Sequence, residues 1–407
     1  MEDEKYSKRQ KIYKNIMIIS LTAFITFIIT TFVLYTYYPN YLGSTFVELS
    51  NGSTISDYIK KIRGSIEKYY LWADQINDED LQAAAIQGYV SGLGDEYTEY
   101  IPSKEMEEYT ETITGSFVGI GIYMIADEES DSIIVYYPIP GSPAEKAGIK
   151  SGDKIIKVNG TEYTAKDFET ISDYIKGEEG TKVNIIVERE NKELSFDITR
   201  EKINTNPITT KIIEKNIGYL NLPSFDEGTA EDFEEKVKEL QGKGAKSLII
   251  DLRNDGGGIV DEATKIADYI LEKGDVIIST VDNKGEKEIT YSENDPIFNM
   301  PIVILVNENT ASASEILTAA LQDYKKATVV GTKTYGKGII QTLFTLSDGS
   351  GLKITTAEYY TPKGTNIHKV GIKPDEEVKL PDDIENIYAV AEKDDTQLKK
   401  AIDILNE

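Results

Sequence analysis

The sequence predicts an α/β domain with a largely parallel sheet, preceded by a smaller, mainly-β domain and an N-terminal helical region. Three observations lead to this fold class. From residue 212 onward, apolar runs that predict strands, including one at 275–279, alternate with helical patterns, which is typical of right-handed βαβ units, and runs at 340–346 and 352–360 predict a hairpin. Residues 115–200 contain five short β-type runs with two short helical pieces between them. Residues 16–35 carry no charge and would form a helix of about 30 Å, enough to cross a bilayer.

Composition excludes several kinds of active site. The 407-residue chain contains no cysteine and one histidine, His368. Cysteine nucleophiles, Cys/His zinc sites and multi-histidine metal sites are therefore excluded, and a Ser-His-Asp triad would have to use His368. The net charge of −26 argues against nucleic-acid binding and favours basic or neutral polypeptide substrates. A serine with a lysine as its base is the remaining well-known hydrolytic nucleophile.

The N-terminal apolar run predicts a single transmembrane helix at residues 16–36. Lysines and one arginine precede the run, and none follows it before Lys60. The positive-inside rule therefore places a tail of residues 1–15 in the cytoplasm and residues 40–407 on the outer side of the cell membrane. A cleaved signal peptide is the alternative, although the run is long and tyrosines occupy the place of a small-residue cleavage site.

Residues 37–112 are predicted to form a linker and an N-terminal helical region. Apolar residues recur with helical spacing at 56–72 and 79–92. These helices are expected to form a stalk or a dimerisation unit, which would make the protein a homodimer, or simply to pack against the next domain. At the other end of the chain, residues 383–407 are expected to form an acidic helical tail.

Two strings within residues 113–200 indicate a particular mainly-β domain. Gly119-Ile120-Gly121-Ile122 begins the first predicted strand, and a second string runs from Ser142-Pro143-Ala144 to Val158-Asn159-Gly160. Together they resemble a PDZ domain, in which an extended peptide adds to an open sheet edge and a glycine-bearing loop binds its terminal carboxylate. The resemblance places the peptide-binding loop at Phe117, Val118, Gly119, Ile120, Gly121 and Ile122.

The α/β part carries unusual residues after two predicted strands, and open α/β sheets form their sites at the carboxyl ends of strands. Strand 247–252 is followed by Arg253-Asn254-Asp255-Gly256-Gly257-Gly258. Three glycines before a helix allow backbone N–H groups to converge on one oxyanion, and Gly257 and Gly258 are the candidates. An ordinary tight turn is the alternative, whereas a phosphate loop is disfavoured because no Gly-Lys-Ser/Thr follows.

Ser312 comes after strand 301–306, at the expected start of a helix. A serine in this place commonly caps the helix, and Ser314 or Thr310 would serve equally well. The functional alternative puts the hydroxyl group at the positive end of the helix, where the Ala313 N–H would help to bind a developing oxyanion.

Lys337 lies between Gly336 and Gly338, which would allow the backbone to bring the lysine inward. A lysine has an ordinary pKa of about 10.4 and becomes a base at neutral pH only when it is desolvated. An exposed surface lysine is the ordinary alternative. Gln341, four residues later, is expected to face the same side of a strand and to orient the ammonium or hydroxyl group.

These strings together resemble the carboxyl-terminal processing (tail-specific) protease family, in its membrane-anchored bacterial form. The resemblance covers roughly residues 55–380 and includes Leu93–Tyr100, Val303–Asp323 and Val329–Gln341. It implies a crotonase-like α/β protease core at residues 201–382 with an inserted PDZ domain. It further implies that Ser312 is the nucleophile and Lys337 the base, with Gln341 as third member and Asp323 in a supporting role.

The chain departs from the family pattern at three places. Thr310 replaces the first serine of the family's serine string and keeps a hydroxyl group. Asp255-Gly256 replaces the common Asn-Pro and loosens the loop. Lys176 stands at a position of the PDZ domain that is often arginine, which bears on how strongly peptide occupancy is signalled to the protease.

The sequence therefore predicts a membrane-anchored serine endopeptidase acting on exported proteins. Unstructured C-terminal tails would bind the PDZ domain, and their binding would switch the protease on. Neutral Lys337 would take the proton of Ser312 while backbone N–H groups bind the oxyanion, and neither a metal nor a cofactor is needed. The main alternative is a non-catalytic, membrane-anchored PDZ scaffold, and a crotonase-type acyl-CoA enzyme is more remote.

Overall fold

The computed structural model describes residues 17, 20–22, 24–30, 54–127, 130–139, 141–214, 216–381 and 392–407. The chain divides into two compact units, residues 1–84 and residues 85–407.

The described part of the N-terminal region includes helical residues at 20–22 and 24–30. Within the described ranges, no helix is both long enough and apolar enough to span a bilayer. Ten of the 21 residues of the transmembrane helix expected at 16–36 lie outside those ranges, as does the whole tail expected at 1–15. The same holds for residues 382–391, where the acidic C-terminal tail was expected to begin.

The first unit contains helix α1 (Ile55–Tyr69), and helix α2 (Asp78–Ser91) begins in it. Both helices confirm the sequence prediction to within three residues. Thr54 and Asp57 form a capping box at the start of α1, in which each side chain accepts a hydrogen bond from the other residue's N–H. Arg63 in α1 forms an ion pair with Asp78 at 2.7 Å.

Three short elements lead from α2 into the mainly-β domain: β1 (Glu99–Ile101), α3 (Met106–Thr114) and β2 (Ser116–Gly119). The domain's antiparallel sheet follows the strand order β3–β4–β5–β7–β8, with β6 beside β5. Its elements are β3 (Ile122–Asp127), β4 (Ser132–Pro138), α4 (Pro143–Ala147), β5 (Lys154–Val158), β6 (Thr161–Glu162), α5 (Phe168–Ile175), β7 (Lys182–Arg189) and β8 (Lys192–Thr199).

The first predicted strand of this domain, at residues 117–124, is two strands in the structure. β2 pairs with β9 (Glu201–Asn204), whereas β3 belongs to the main sheet. The break falls at Gly121, whose φ of 75° is left-handed and ends the extended run. A Cβ atom at Gly121 would also lie 2.5 Å from the Ser142 side chain, so glycine is required at this bend.

The α/β domain is built on a sheet with the order β10–β11–β12–β15–β16–β19. The β10–β11 pair is antiparallel and the other pairs are parallel, which confirms the predicted largely parallel sheet. The strands are β10 (Thr209–Ile213), β11 (Ile217–Asn221), β12 (Ser247–Asp251), β15 (Ile302–Val306), β16 (Ala327–Gly331) and β19 (Glu376–Glu377).

Helices cover both faces of this sheet. On one face α6 (Thr229–Gly242), α7 (Val260–Asp268) and α8 (Ala313–Asp323) pack on Leu248 and Ile250 of β12. On the other face the C-terminal helix α9 (Thr396–Asn406) packs in the cluster that contains Ile249. Successive side chains of a strand point to opposite faces, so burial of all three explains the uninterrupted apolar run that predicted β12.

A second sheet departs from the sequence prediction. The strand expected at 275–279 is β13 (Val276–Asp282), and it pairs antiparallel with β14 (Lys287–Tyr291) and β18 (Gly351–Tyr360) rather than joining the parallel sheet. The predicted hairpin, β17 (Ile339–Thr345) with β18, belongs to this sheet, and β1 covers the far end of β18. An apolar run does not reveal its pairing partner, because either sheet buries it equally well.

Candidate active site

Three hydroxyl groups lie between β15 and the first turn of α8, and the structure separates them. The Thr310 side chain is fully buried and donates a hydrogen bond to the Leu252 carbonyl at 2.7 Å. Ser314 is fully buried as well and donates to the Asp255 carbonyl at 3.1 Å. Ser312, between them, is half-buried. Solvent access therefore favours Ser312 as the nucleophile that the family resemblance implies.

The backbone of Ser312 is strained. Its φ of 56° and ψ of −117° are unfavourable for a residue with a Cβ atom, and such a conformation persists only where the surrounding structure enforces it. Ser312 is also the N-cap residue of α8, so the capping position and the candidate nucleophile are the same residue. Its side chain therefore lies at the positive end of the helix dipole.

Lys337 is half-buried, and its ammonium group lies 4.8 Å from the centre of the Tyr97 ring. Desolvation lowers the pKa of Lys337 below its ordinary value of 10.5, and the charge of Lys353 lowers it further. Both effects increase the fraction of neutral amine, which is the form that can act as a general base. The segment that carries Lys337 packs closely against His368, since a Cβ atom at Gly338 would lie 2.5 Å from the backbone nitrogen of His368.

The buried carboxylate of Glu315 connects Ser312 to Lys337. Its Oε2 accepts the Ser312 N–H at 3.0 Å and the Lys337 N–H at 2.9 Å. Its Oε1 accepts the Gly336 N–H at 2.8 Å and the Thr334 hydroxyl at 2.5 Å. Glu315 is completely inaccessible to solvent, so these four hydrogen bonds replace its hydration. One carboxylate thus fixes the backbone of both candidate residues.

Sequence reasoning missed Glu315, although one signal was present. Ser312-Ala313-Ser314-Glu315 has the spacing of a capping box, in which the glutamate side chain returns to the N-cap N–H. That spacing predicts the contact of Glu315 with Ser312. Glu315 clamps Ser312 to residues 334–337, and its hydrogen bonds to residues 334–337 have no local sequence signal.

Tyr359 makes a second connection across the site. Its hydroxyl group donates to the Ser312 carbonyl at 3.3 Å, and its backbone N–H donates to the Gly338 carbonyl at 3.0 Å. The side chain is only 1% exposed, so the ring is fixed by packing. Tyr359 was not singled out from the sequence, since aromatic residues in strands are common in any core.

Gln341 lies in β17, and its amide group donates to the Thr355 hydroxyl on the adjacent β18 at 3.3 Å. The expectation that residues 337 and 341 share one face of a strand is wrong in its geometry. Lys337 precedes β17, which begins at Ile339, so the alternation of side chains along the strand does not extend to it. The catalytic role of Gln341 stays a prediction.

Asp323 ends α8, the helix that begins after Ser312. An eleven-residue helix is about 16 Å long, so Asp323 lies far from the Ser312 hydroxyl group. Its carboxylate accepts the Lys363 N–H at 2.9 Å and lies 3.4 Å from the Lys363 ammonium group. In the structure Asp323 therefore fixes the turn after β18, and its supporting role in catalysis stays a prediction.

The glycine loop, which comprises residues 253–258 after β12, lies directly against Ser312. A Cβ atom built on Gly257 would be 2.8 Å from the Ser312 Cβ and 2.9 Å from the Ala313 nitrogen. The Gly257 N–H donates to the Asp255 carboxylate at 2.8 Å, so it is engaged within its own loop. Among the hydrogen bonds of the described residues, none is donated by the N–H of Gly258 or Ala313. These two remain the better candidates for binding an oxyanion.

The loop also provides a matched pair of substitutions. Gly257→Ala is expected to reduce kcat by about 10²-fold or more, because the added methyl group displaces Ser312 and Ala313, and the loss of one oxyanion donor alone has an effect of this size. The φ of 99° at Gly257 adds strain. Steady-state cleavage of a tailed protein substrate measures the effect.

Gly256→Ala is the control. No atom lies within 4 Å of a Cβ at Gly256, and the residue has no positive φ. Its substitution should change the stability by no more than about 0.5 kcal/mol and leave kcat near that of the wild type. Equal losses in the two variants would show that contact with Ser312 is not the cause.

Arg253 fixes the start of this loop. Its guanidinium group is buried and lies 2.5 Å from Asp251 at the end of β12. It also contacts the carboxylate of Asp395 at 3.0 Å and the amide oxygen of Gln397 at 3.0 Å, both at the start of α9. The C-terminal helix thereby supports the loop that faces Ser312.

The PDZ-like domain has two edge strands among the described residues, β3 and β8, and β3 is the one that follows the predicted peptide-binding loop. Within the described residues, β3 pairs only with β4 and ends the sheet order. Of the predicted peptide-binding residues, Phe117, Val118 and Gly119 lie in β2, paired with β9. Ile120 is buried, the Gly121 carbonyl accepts the Ser142 hydroxyl at 3.0 Å, and Ile122 begins β3. The six residues therefore lead directly into β3, whose outer edge is unpaired, and peptide binding by them stays a prediction.

Lys176 is the C-cap residue of α5. Its ammonium group lies 2.5 Å from the Glu111 carboxylate in α3 and 5.7 Å from the centre of the Phe117 ring. Lys176 thus contacts the strand that carries the predicted peptide-binding loop. Among the described residues, no group of three His, Asp or Glu side chains is arranged to bind a metal ion.

Comparison with known proteins agrees with both domains. Residues 134–189 match the PDZ domain, and residues 216–378 match Peptidase family S41. The chain is 35% identical over 387 residues to the carboxy-terminal processing protease CtpA of Bacillus subtilis (strain 168), covering 95% of this chain and 81% of that protein. It is 40% identical over 308 residues to a probable CtpA-like serine protease of Staphylococcus aureus (strain MRSA252), covering 75% of this chain and 61% of that protein.

Among solved structures, a photosystem II D1 C-terminal processing protease is 28% identical, with a TM-score of 0.47. The match covers 81% of this chain and 95% of that one.

An α/β peptidase domain with an accompanying PDZ domain defines the class as serine-type peptidases with a peptide-binding module. This confirms the class of enzyme predicted from the sequence. The chain belongs to peptidase family S41, as a carboxy-terminal processing serine protease.

Proposed function

We propose that Ser312 is the nucleophile of this protease and that Lys337 is its general base. The observation that carries the proposal is the Glu315 carboxylate, whose single Oε2 atom binds the N–H groups of both residues. Partial burial of Lys337 supports the base role, because it lowers the pKa of the amine. The strained backbone of Ser312 supports the nucleophile role.

The proposed reaction is acyl transfer in two steps. The neutral Lys337 amine removes the Ser312 hydroxyl proton as the oxygen attacks the peptide carbonyl, and the N–H groups of Ala313 and Gly258 bind the oxyanion. The Lys337 ammonium group then gives its proton to the leaving amine. Water, deprotonated by the same amine, releases the acyl group. Gln341 is proposed to orient the base from β17.

Substrate selection is proposed to begin at the PDZ domain. The open edge of β3 supports addition of an extended peptide strand, and the preceding residues 117–121 would bind the terminal carboxylate. The substrates are then proteins with an unstructured C-terminal tail. Occupancy is proposed to activate the protease, which requires that the tail bind the active form more tightly than the inactive one.

The test uses a tailed substrate with the full-length protein. Ser312→Ala should lower kcat by about 10⁴-fold or more while a peptide of the tail sequence binds with unchanged affinity. Unchanged binding is the control for folding. Cleavage by Ser312→Ala at the wild-type rate would overturn the role of Ser312, and a wild-type protein that binds the tail without cutting it would favour the non-catalytic scaffold.

The proposal includes a single N-terminal membrane anchor, with the protease outside the cytoplasm. The uncharged run of residues 16–35 and the basic residues before it support this topology. Self-association through the N-terminal helical region is proposed as well. Alkaline carbonate extraction of membranes should leave the full chain in the pellet and release a chain lacking residues 1–39, and recovery of both in the supernatant would contradict the anchor.

A further inference from the structure

Asp255, in the glycine loop, has a carboxyl group of which only one oxygen accepts a hydrogen bond. The residue is completely buried. Its Oδ1 accepts the Gly257 N–H at 2.8 Å, whereas its buried Oδ2 has no hydrogen-bond partner. Its backbone carbonyl accepts the Ala311 N–H at 3.0 Å and the Ser314 hydroxyl at 3.1 Å. The backbone of Asp255 is therefore fixed from the segment that carries Ser312, while one carboxyl oxygen is unpaired.

The charges around Asp255 disfavour an ionised carboxylate. The charged side chain that acts on it is Asp226, from the turn before α6, and its charge is of the same sign. No ion pair of the described residues gives Asp255 a cationic partner. Burial raises the pKa of Asp255 well above its ordinary value of 3.8, and Asp226 acts in the same direction, against the hydrogen bond from Gly257 and the nearby Ser314 hydroxyl group. A desolvated, unpaired anion is far more costly than a neutral acid.

Asp255 is also placed where its charge would affect the reaction. It binds Gly257, and a Cβ atom on Gly257 would lie 2.7 Å from the Ala311 carbonyl and 2.8 Å from the Ser312 Cβ. The proposed oxyanion forms beside the same residues, at the N–H groups of Gly258 and Ala313. A negative charge in this loop would repel the negative charge that develops on the substrate carbonyl oxygen.

We propose that Asp255 is a positioning residue that works as a neutral carboxylic acid, orienting the Gly256–Gly258 loop against Ser312, and that its ionisation disables the oxyanion site. The effect on catalysis rests on the proposed function of Ser312. The protonation state itself does not, and it can be tested without cleavage. A neutral acid offers the same acceptor oxygen to Gly257 that an asparagine would offer.

The first measurement is urea unfolding of full-length Asp255→Asn and wild type across the pH range. An acid whose pKa is raised by folding holds its proton more tightly in the folded state. Its presence therefore lowers stability progressively as the pH rises from the unfolded pKa towards the folded one. Asparagine does not titrate, so the ratio of the folding equilibrium constants, Asp255→Asn over wild type, should grow with pH, by about tenfold per pH unit at most.

Asp268→Asn is the matched control with the opposite sign. Burial raises the pKa of Asp268, but hydrogen bonds from Asn294, Ser292 and Glu293 outweigh it and lower the pKa overall. The Asp268 carboxylate therefore stabilises the fold above its unfolded pKa, and Asp268→Asn should lose stability relative to wild type as the pH rises. A difference between Asp255→Asn and wild type that is independent of pH, or that follows the sign of Asp268→Asn, overturns the proposal.

The second measurement is the pH dependence of kcat/KM on a tailed substrate. The wild type should show a descending alkaline limb that Asp255→Asn lacks, because only the aspartate can acquire a charge in the loop. Asp255→Leu, which has no acceptor for the Gly257 N–H, should lose activity at every pH. An alkaline limb identical in wild type and Asp255→Asn shows that ionisation of Asp255 does not disable the site, even where the unfolding data establish a neutral acid.

Discussion

Lys337→Met is expected to lower kcat by about 10⁴-fold or more throughout the neutral pH range, because it removes the only proposed base while filling a similar volume. The wild-type kcat/KM should rise with pH through the pKa of Lys337, which lies below 10.5. Single-turnover cleavage of a tailed substrate across pH measures both effects. The ascending limb should be absent from any residual activity of Lys337→Met.

The stability of Lys337→Met separates loss of chemistry from loss of fold. The folded protein binds the Lys337 proton less tightly than the unfolded chain does, so the lysine destabilises the fold at neutral pH, and this destabilisation fades as the pH rises towards 10.5. Methionine removes the effect. Lys337→Met should therefore be at least as stable as the wild type at neutral pH.

Lys337→Arg is the sharper control. Arginine keeps a cation above the Tyr97 ring but cannot be deprotonated in a protein, so it cannot act as a base. Activity should be lost as completely as in Lys337→Met. An arginine variant that cleaves at the wild-type rate would show that position 337 contributes charge rather than proton transfer.

Glu315→Ala is expected to have the second largest effect, on stability and on activity together. It leaves four donors without their acceptor, from Ser312, Thr334, Gly336 and Lys337. Each buried donor left unpaired costs about 1–3 kcal/mol, and water entering the cavity would recover part of that. In the fraction that folds, kcat should fall by about 10²-fold or more, since a displacement of about 1 Å between reacting groups has this effect.

Glu315→Gln tests the clamp with little change in volume. The amide has one oxygen in place of two, so one of the two donor pairs faces an NH₂ group and loses its acceptor. An intermediate loss of kcat, with KM nearly unchanged, is expected in steady-state assays. Glu308→Gln is the matched control, because Glu308 is exposed and accepts a single hydrogen bond, from Thr332. Full activity of Glu315→Gln would show that the carboxylate does not position the two residues.

The sequence was sufficient for the PDZ and peptidase domains and for most elements of the α/β core. Buried parallel strands such as β12 appear as unbroken apolar runs, and their order along the chain already implies right-handed crossovers. The turns after β12 and β15 could also be recognised, because sites in such sheets form at the carboxyl ends of strands. The candidates Ser312 and Gly257 were found in this way.

Predictions that depended on pairing were less successful. β13 was assigned to the parallel sheet, although it pairs with β14 and β18. Gln341 was expected to share a strand face with Lys337, but Lys337 precedes β17, so strand alternation does not relate the two side chains. Where a strand begins depends on its pairing with another strand, so periodicity alone cannot reveal it.

The sequence by itself determined the kind of chemistry available to this protein, because with no cysteine and one histidine a serine and a lysine remained as nucleophile and base. The glycines next to them in the sequence also indicated close backbone contacts at the site. The tertiary structure decided how those residues meet. The Glu315 carboxylate reaches residues 19 to 22 positions away, and Tyr359 reaches Ser312 from 47 positions away. Local patterns report short-range geometry, whereas hydrogen bonds between distant segments exist only after the sheets have packed.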